Sequence, residues 1–381
     1  MKMPIYLDYN ATTPIDPEVA AAMAPYLCEH FGNPSSTHPY GVQARAAVDH
    51  ARAQVAALLG CEPREVVFTS GGTESNNMAI MGAALASPGR QGRIITSAVE
   101  HPAVVEVCDW LAGQGFEITT LGVDGYGRLS PGDLARAIGP DVLLVTIMQA
   151  NNEVGTIQPI AELATIAHRH GALFHTDAAQ AVGKIPTRID DLGVDLLSVA
   201  GHKLYAPKGV GALYVREGVG LAKLLHGAGQ EAGRRPGTEN VLEIVGLGQA
   251  CEIAGRNPKS AGGHLRSMRD RLTAGLLRAL GEAQVRVNGH PEARLPNTAS
   301  LSFREVKANV LLAEIGAEVA ASAGAACHAD EVTVSAVLRA MNVPVEWAKG
   351  TVRFSVGRFT DPDEVDRAIE VVAAAVRRRQ T

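Results

Sequence analysis

Short apolar segments alternate with helical patterns along the first 215 residues of this 381-residue chain, and this alternation constrains the fold most strongly. Most of the segments have the length of a buried strand and are separated by helical repeats. Seven segments are predicted as strands, at residues 66–69, 93–96, 117–121, 142–147, 173–176, 194–199 and 211–215. Because helices between consecutive strands cover both faces of a sheet, the pattern predicts an α/β fold with a mostly parallel sheet.

The regular alternation stops in the last third of the chain. A long amphipathic helix is predicted over 264–278, and short strands and a closing helix follow it. A chain of 381 residues that is 46% hydrophobic is long enough to bury more than one core. We therefore predict a large lobe over residues 15–254 and a smaller α+β C-terminal lobe that combines residues 1–14 with 255–381.

Two reactive side chains follow strand candidates: Asp177 follows segment 173–176, and Lys203 follows segment 194–199. Open α/β sheets build their sites at the carboxyl ends of strands, so we expect both groups in one site. A lysine that binds an aldehyde and a carboxylate that keeps a pyridine nitrogen protonated are the two groups that pyridoxal phosphate requires. Taken alone, such a pair is more often explained by helix capping or a solvated loop.

A glycine-rich turn, residues 70–74, connects the strand candidate 66–69 to a helical pattern. The free N–H groups at a helix start, its positive dipole end and the hydroxyl group of Thr73 together can bind a phosphate. An ordinary glycine turn with a threonine cap explains the same residues. The turn by itself leaves both explanations open.

Charge and composition argue against several classes of function. A net charge of −5 and a pI near 6.2 provide no electrostatic basis for direct nucleic-acid binding. No apolar stretch approaches the roughly 20 residues that cross a bilayer, and the N-terminus lacks a signal-peptide pattern, so we expect a cytoplasmic protein without membrane contact. The five cysteines show no CxxC pair or zinc spacing, so no metal site is predicted and the thiols should be reduced.

Motifs near the two chain ends carry a family resemblance: residues 6–14, YLDYNATTP, and residues 352–359, VRFSVGRF. With the segment that ends at Lys203, they show that the chain resembles the cysteine desulfurases of the NifS and IscS kind, over nearly its whole length. These enzymes belong to the class V aminotransferase group of fold type I pyridoxal-phosphate enzymes. The resemblance implies a homodimeric pyridoxal-phosphate-dependent transferase that converts L-cysteine to L-alanine and an enzyme cysteine persulfide.

The resemblance also implies a role for each residue that matches a family motif. Lys203 would bind the cofactor and move the substrate α-proton, Asp177 would keep the ring nitrogen protonated, and His101 would stack on the ring and shuttle protons. The other matched positions would contact the cofactor phosphate or its phenolic oxygen. The phosphate contacts are Thr73, His202 and, across the dimer, Thr238; the phenolic-oxygen contacts are Asn152 and Gln180.

Arg353 matches the family position that binds the substrate carboxylate, with Asn152 beside it, and a guanidinium can donate two parallel hydrogen bonds to carboxylate oxygens. Cys327 matches the cysteine that receives the sulfur as a persulfide, and the small residues around it suit a loop that brings a thiolate to the substrate. Composition alone favours a buried core cysteine instead. Alanine replaces a serine found in many relatives at Ala200, Ala323 and Ala325.

Three functions compete on the sequence. The leading one is a cysteine desulfurase that passes sulfur to an acceptor protein. The second is a selenocysteine lyase or another class V lyase or transaminase. The third is a catalytically silent scaffold for sulfur transfer, against which the presence of Lys203, Asp177 and Cys327 argues. The acceptor pathway stays open among iron–sulfur cluster assembly, transfer-RNA thiolation and DNA phosphorothioation.

Overall fold

The computed structural model describes residues 3–87, 92–256, 258–323, 327–328, 331–332 and 334–380, with the backbone alone at 258, 327–328, 331–332 and 380. The α-helices within these residues are α1 Pro17–Met23, α2 Pro25–Cys28, α3 Pro39–Leu59, α4 Gly72–Ala86, α5 Pro102–Gly113, α6 Pro131–Ala137, α7 Ile160–Arg169, α8 Ile189–Leu192, α9 Val241–Arg256, α10 Pro258–Leu280, α11 Ala308–Ile315, α12 Ala336–Ala340, α13 Val345–Ala348 and α14 Pro362–Gln380. The strands are β1 Ile5–Tyr6, β2 Val66–Thr69, β3 Arg93–Ser97, β4 Glu117–Leu121, β5 Val142–Thr146, β6 Leu173–Asp177, β7 Leu196–Ala200, β8 Gly211–Val215, β9 Val285–Asn288, β10 Thr298–Phe303, β11 Val319–Ala320, β12 Ser322–Ala323, β13 Cys327–His328, β14 Glu331–Val332 and β15 Thr351–Ser355.

A seven-stranded sheet forms the centre of the larger part of the molecule, in the order β2-β8-β7-β6-β5-β3-β4. The strands β4, β3, β5, β6 and β7 pair in parallel, whereas β8 runs antiparallel to β7 and β2. Every residue of β2, β7 and β8 is buried, as expected for a sheet with helices on both faces. The predicted α/β fold with a mostly parallel sheet is confirmed.

A second sheet has four antiparallel strands in the order β12-β15-β10-β9. Leu272 of α10 and Val372 of α14 join Phe303 and Phe354 of this sheet in a separate apolar core. The parallel pairing of β1 with β11 attaches the beginning of the chain to this part of the molecule. The lobe boundaries at residues 15 and 254 stay a prediction.

The structure differs from the sequence-based expectations chiefly at element ends. The strand predicted over 194–199 begins at Leu196. Val194 lies in the loop before the strand and is buried, and hydrophobicity does not distinguish a buried loop residue from a strand residue. The helix predicted over 264–278 extends over Pro258–Leu280, since the first turns carry exposed residues that add nothing to the apolar repeat.

Candidate active site

One cavity of about 290 Å³ collects eight of the ten predicted site residues. It lies where β3, β5, β6 and β7 end, and β2 ends at the same edge because β2 and β7 both run antiparallel to β8. Carboxyl ends of strands that share a direction meet at one sheet edge, which brings distant chain segments together. The eight residues in its wall are Thr73, His101, Asn152, Asp177, Gln180, His202, Lys203 and Arg353.

Lys203 is placed by the 3₁₀ turn Gly201–Lys203, which directly follows β7. Its Nζ donates hydrogen bonds to the backbone oxygens of Asn10, at 2.6 Å, and Ala11, at 2.7 Å. These contacts join the carboxyl edge of the large sheet to the N-terminal motif. The amine is thereby held at the cavity wall by acceptors that carry no net charge.

Burial lowers the pKa of Lys203 to about 8, and the positive charge of Arg353 acts in the same direction. The carboxylates of Asp8 and Asp177 oppose this shift. A solvated lysine has a pKa of about 10.4 and is almost fully protonated at neutral pH. The surroundings therefore raise the fraction of neutral, nucleophilic amine at Lys203.

Asp177 is the last residue of β6 and is 5% exposed. Asn76 Nδ2 donates to Asp177 Oδ2 at 2.8 Å, and the backbone N of Ala179 donates to Asp177 Oδ1 at 2.9 Å. Both oxygens of this buried carboxylate are therefore satisfied. These contacts fix the carboxylate in the cavity wall, where it can pair with a cation facing it.

The start of α4 forms another part of the wall. Gly71 precedes this helix with a φ of 148° and a ψ of −175°, a conformation that is essentially restricted to glycine. No side chain caps the helix, so its first N–H groups are available to an anion beside Thr73. A Cβ on Gly72 would lie 3.2 Å from the Ala200 side chain, so the turn packs closely against the end of β7.

His202 lies in the same wall, and its Nδ1 is 3.2 Å from Thr12 Oγ1. Burial lowers the pKa of His202 to about 4, with Lys203 contributing further. The ring is therefore neutral and carries one N–H donor. Ala200 also lines the cavity and offers no hydroxyl, which leaves the helix start, Thr73 and His202 as the donors there.

His101 caps α5, and its Nδ1 accepts a hydrogen bond from the backbone N of Ala103 at 3.1 Å. In the neutral ring the proton therefore resides on Nε2. Desolvation lowers the pKa of His101, Asp177 opposes this shift and Lys203 adds to it. Because the side chain lines the cavity, it can exchange protons with a bound ligand.

Glu100 supports the segment that carries His101. Its Oε1 accepts from Ser97 Oγ at 2.5 Å, and its two oxygens lie 3.0 and 3.1 Å from the backbone N of Met148. Burial raises the pKa of Glu100 to about 8, and the charge of Asp177 adds to this. Since Met148 lines the cavity, this carboxyl group ties the loop after β3 to the loop after β5.

Gln180 has its side-chain amide oriented by two neighbours. Gln180 Nε2 donates to the backbone oxygen of Asn10 at 2.9 Å, and Lys184 Nζ donates to Gln180 Oε1 at 2.9 Å. Burial lowers the pKa of Lys184 to about 7, and the charges of Lys203 and Arg353 add to this effect. With the amide oxygen occupied, the second N–H of Gln180 Nε2 is the group left for a ligand acceptor.

Arg353 lies in β15, an inner strand of the four-stranded sheet, which is called the small sheet below. Its Nη1 donates to the backbone oxygen of Asn152 at 2.9 Å, and its Nη2 donates to Asp8 Oδ1 at 2.8 Å. Arg353 Nε is buried without a protein partner among the described residues. These contacts hold the guanidinium in the cavity wall and leave some of its N–H groups without a protein acceptor. Asn152 takes part through its backbone oxygen.

Thr238 lies outside the cavity of its own chain. It lines a separate cavity of about 220 Å³ with Ser70 and Arg235. Arg235 Nε pairs with Glu74 at 2.8 Å beside the glycine-rich turn. The predicted contact of Thr238 with the phosphate across a dimer stays a prediction.

Cys327 has its backbone paired with Val332 in the two-residue ladder of β13 and β14. Its side chain lies outside the described residues, as does Ala325. The preceding strand, β12, pairs Ser322 with Arg353. The segment that carries Cys327 therefore follows directly on a strand that neighbours the predicted carboxylate clamp.

Sequence reasoning missed several residues that support the site. Two of them belong to the motif of residues 6–14, and the other three lie within four positions of a predicted site residue. Their proximity in sequence was a usable signal, although it did not reveal which group each one contacts. These residues are Asp8, Asn10, Asn76, Glu100 and Lys184.

Comparison with known proteins identifies the family. A family model described as "Aminotransferase class-V" matches residues 5–368. The chain belongs to the class-V aminotransferase family. This family member is 47% identical over 375 residues to "Cysteine desulfurase IscS" of Methanosarcina thermophila, covering 98% of this chain and 92% of that protein.

Solved structures show the same fold. A structure named "NIFS-LIKE PROTEIN" matches with a TM-score of 0.91 and 37% identity, over 98% of this chain and 99% of that one. Another, named "SspA in complex with cysteine", matches with a TM-score of 0.83 and 36% identity, over 93% and 99% of the two chains. The predicted fold type I architecture is therefore confirmed.

The class-V family depends on pyridoxal phosphate, and the cavity contains groups suited to this cofactor. Lys203 provides an amine, Asp177 a buried carboxylate, and the uncapped start of α4 provides anion-binding N–H groups. Within the described ranges, no cluster of three or more histidine, cysteine, aspartate or glutamate side chains could hold a metal ion. No described helix combines the length and apolar composition needed to cross a bilayer.

Proposed function

We propose that this class-V family member is a cysteine desulfurase that converts L-cysteine to L-alanine and carries the released sulfur as a persulfide on Cys327. The observation that carries the proposal is the meeting of Lys203, Asp177 and Arg353 in one cavity. An amine, a buried anion and a guanidinium are the groups that an amino-acid-converting pyridoxal-phosphate enzyme needs. The relatives named cysteine desulfurase, and the similar structure named as a complex with cysteine, support the substrate.

In this proposal the cofactor occupies the 290 Å³ cavity. Lys203 would hold it covalently and Asp177 would face its ring nitrogen. The bound cofactor supplies a cationic ring that withdraws electrons from the substrate α-carbon. The remaining contacts, to the phosphate, the ring face and the phenolic oxygen, would come from the α4 start with Thr73 and from His202, His101, Gln180 and Asn152.

Different protein groups would act on different parts of the substrate. Arg353 would bind the α-carboxylate through N–H groups that its protein contacts leave available. Lys203, whose pKa is lowered to about 8, would remove the α-proton as a neutral amine and return it to the substrate later. His101, which lines the same cavity, would serve as a second proton carrier.

Cys327 would attack the substrate sulfur as a thiolate. An S–S bond forms between Cys327 and the substrate sulfur, the substrate C–S bond breaks, and the electron pair of that bond stays on the β-carbon. Protonation of the β-carbon then yields alanine and leaves the persulfide on the enzyme. Burial raises the pKa of Cys61, Cys108 and Cys251 to about 12, which makes these thiols poor competitors.

Further parts of the proposal concern partners and location. We propose a cytoplasmic homodimer in which Thr238 reaches the phosphate site of the partner subunit, consistent with its position outside the cavity of its own chain. A sulfur-acceptor protein would receive the persulfide sulfur. The names of the similar proteins, IscS and SspA, do not agree on one acceptor. The acceptor pathway therefore stays open among iron–sulfur cluster assembly, transfer-RNA thiolation and DNA phosphorothioation.

The test is to incubate the purified holoenzyme and its Cys327→Ser variant with L-cysteine, measure alanine, and map persulfide by mass spectrometry. Cys327→Ser should keep its cofactor but lose alanine release by about a thousand-fold or more, because a hydroxyl is a far weaker nucleophile than a thiolate. Cys28→Ser is the matched control, since Cys28 is an exposed cysteine outside the cavity. It should keep wild-type turnover.

Three outcomes would contradict this proposal. The first is substantial alanine release by Cys327→Ser, or a persulfide that maps to another cysteine. The second is turnover of L-selenocysteine with none of L-cysteine, which would establish a selenocysteine lyase instead. Absence of turnover by a cofactor-loaded protein with every amino acid tested would favour the scaffold.

A further inference from the structure

Arg353 is held by a carboxylate, that of Asp8, which does not line the cavity. Asp8 Oδ1 accepts a hydrogen bond from Arg353 Nη2 at 2.8 Å, and the two side chains are 18% and 11% exposed. Asp8 is absent from the described residues that line the cavity, whereas Arg353 is present. The carboxylate therefore contacts the guanidinium from the protein side, and the cavity side remains open to a ligand.

Asp8 itself is fixed by several contacts. Its second oxygen, Oδ2, accepts from Ser322 Oγ at 2.8 Å, and its backbone oxygen accepts from Tyr6 OH at 3.1 Å. A β-bridge joins its backbone to Ser355 at the end of β15. Both carboxylate oxygens are thus engaged, and the ion pair has a defined geometry.

Glu153 provides a contrast within the same region. The charge of Arg353 lowers the pKa of Glu153, although burial outweighs this effect and the net shift is upward. Glu153 Oε2 nevertheless bonds to Ser335 Oγ and makes no ion pair with the guanidinium in the described part of the chain. Asp8 is therefore the carboxylate whose contact can decide where the guanidinium lies.

We propose that Asp8 is a positioning residue that orients Arg353 for the α-carboxylate of the substrate, an inference that rests on the proposed function. Arginine has a long side chain with many rotamers, and holding it in one of them before binding removes that ordering cost from substrate capture. The remaining guanidinium donors then form a preorganised fork for two carboxylate oxygens. Asp8 acts through Arg353 and touches no reacting atom.

The test is the Asp8→Asn variant of the cofactor-loaded enzyme, which keeps the side-chain shape and removes the charge. L-Alanine, which keeps the carboxylate, and L-alaninamide, which lacks it, are titrated by calorimetry. We expect L-alanine to bind about ten-fold more weakly, which corresponds to about 1.4 kcal/mol, and L-alaninamide to change by less than about two-fold. The KM for L-cysteine should rise with little change in kcat, as when binding of substrate and transition state is weakened equally.

Asp16→Asn is the matched control. Asp16 Oδ2 pairs with Arg358 Nη1 at 2.7 Å, with side-chain exposures of 9% and 25%, and neither residue lines the 290 Å³ cavity. In Asp16→Asn, the difference in affinity between L-alanine and L-alaninamide should be the same as in the wild-type enzyme. Arg353→Ala should reduce L-alanine binding at least as far as Asp8→Asn does.

The outcomes separate this inference from the proposed function. If Arg353→Ala does not weaken L-alanine more than L-alaninamide, the proposed carboxylate clamp itself is wrong. If Arg353→Ala weakens L-alanine selectively but Asp8→Asn does not, the positioning role of Asp8 alone is overturned. Equal weakening of both ligands in Asp8→Asn, or tighter binding of L-alanine, also overturns it. Should Asp8→Asn fold poorly, Asp8→Glu, which restores the charge, must recover the wild-type difference.

Discussion

The two sheets contribute different kinds of basic side chain to the candidate active site. The carboxyl edge of the large sheet contributes Lys203, Lys184 and His202, whose pKa values are lowered by burial to about 8, 7 and 4. The small sheet contributes Arg353, which is ion-paired with Asp8 at 2.8 Å. A guanidinium stays protonated throughout the physiological range. The large sheet therefore provides groups that can exchange protons, and the small sheet provides a fixed charge.

The architecture of each sheet explains this division. Parallel strands end together, so their loops can surround a cavity with amines that protein atoms desolvate. Arg353 instead lies within β15, where neighbouring strands β10 and β12 pair with it through Ser300 and Ser322. A residue between two hydrogen-bonded neighbours has a well-defined backbone position, which suits a group that must bind in one orientation.

The largest expected effect comes from removing the amine of Lys203 while Arg353 is left in place. In Lys203→Ala, L-cysteine turnover should fall by about ten-thousand-fold, because positioned proton transfer alone contributes about 10²–10⁴-fold and covalent attachment of the cofactor is also lost. Alanine release and the visible absorption band of lysine-bound cofactor are the measurements. A variant that keeps the band and a tenth of the turnover would contradict the assignment of Lys203.

A smaller effect is expected from Thr238, which lies outside the cavity of its own chain. In Thr238→Ala, the dissociation constant of the cofactor should rise about ten-fold, since a hydrogen bond to a charged group contributes about 1.5–3 kcal/mol. Spectroscopic cofactor titration measures this, and sedimentation should show an unchanged dimer.

Mixed dimers decide whether Thr238 acts across the interface. A Thr238→Ala subunit paired with a Lys203→Ala subunit contains one complete site if the partner donates Thr238. It contains none if Thr238 acts within its own chain. Recovery of one site with wild-type cofactor affinity per mixed dimer supports the first arrangement, and its absence contradicts it.

The smallest effect concerns how stability depends on pH. The pKa of Lys184 is lowered to about 7, so between about pH 8 and 10 the unfolded chain binds a proton that the folded apoprotein does not. Stability should therefore rise with pH in this window, by up to about 1.4 kcal/mol per pH unit for each such lysine. Glu100, with a pKa raised to about 8, still binds a proton in part of the folded molecules near pH 8, which opposes the rise there, and is ionised in both states above about pH 9.

Lys184→Met should flatten this rise, which urea unfolding of the apoprotein at several pH values would measure. Lys349 is an exposed lysine that does not line the 290 Å³ cavity, so Lys349→Met should leave the slope as it is and serves as the matched control. An unchanged slope in Lys184→Met would show that Lys184 is not desolvated in the folded protein.

Much of the fold could be predicted from local patterns. Apolar segments of strand length located β2 and β8 at their observed bounds, because burial on both faces leaves a nearly continuous hydrophobic signal. The edge strand β4 was also located at its observed bounds, although only Leu121 of it is buried. The position after a strand end then indicated that Asp177 and Lys203 belong to one site. The lobe boundaries and the roles of the site residues stay predictions.

Supporting residues were harder to predict because their contacts join distant parts of the chain. Lys203 and Asn10 are separated by 193 positions, and Arg353 and Asp8 by 345. No periodicity within a segment encodes which backbone oxygen an amine will meet. The family motifs showed that residues 6–14 matter without showing what Asp8 or Asn10 contacts.

The sequence by itself determined the alternation of strands and helices, the buried strands and the residue types available for chemistry, since these depend on local hydrophobicity and side-chain composition. The tertiary structure alone decided which groups meet. It desolvates Lys203 and Lys184, satisfies both oxygens of Asp177, and places Asp8 behind Arg353. Desolvation and ion pairing depend on every atom packed around a group, and packing brings those atoms from segments hundreds of residues apart.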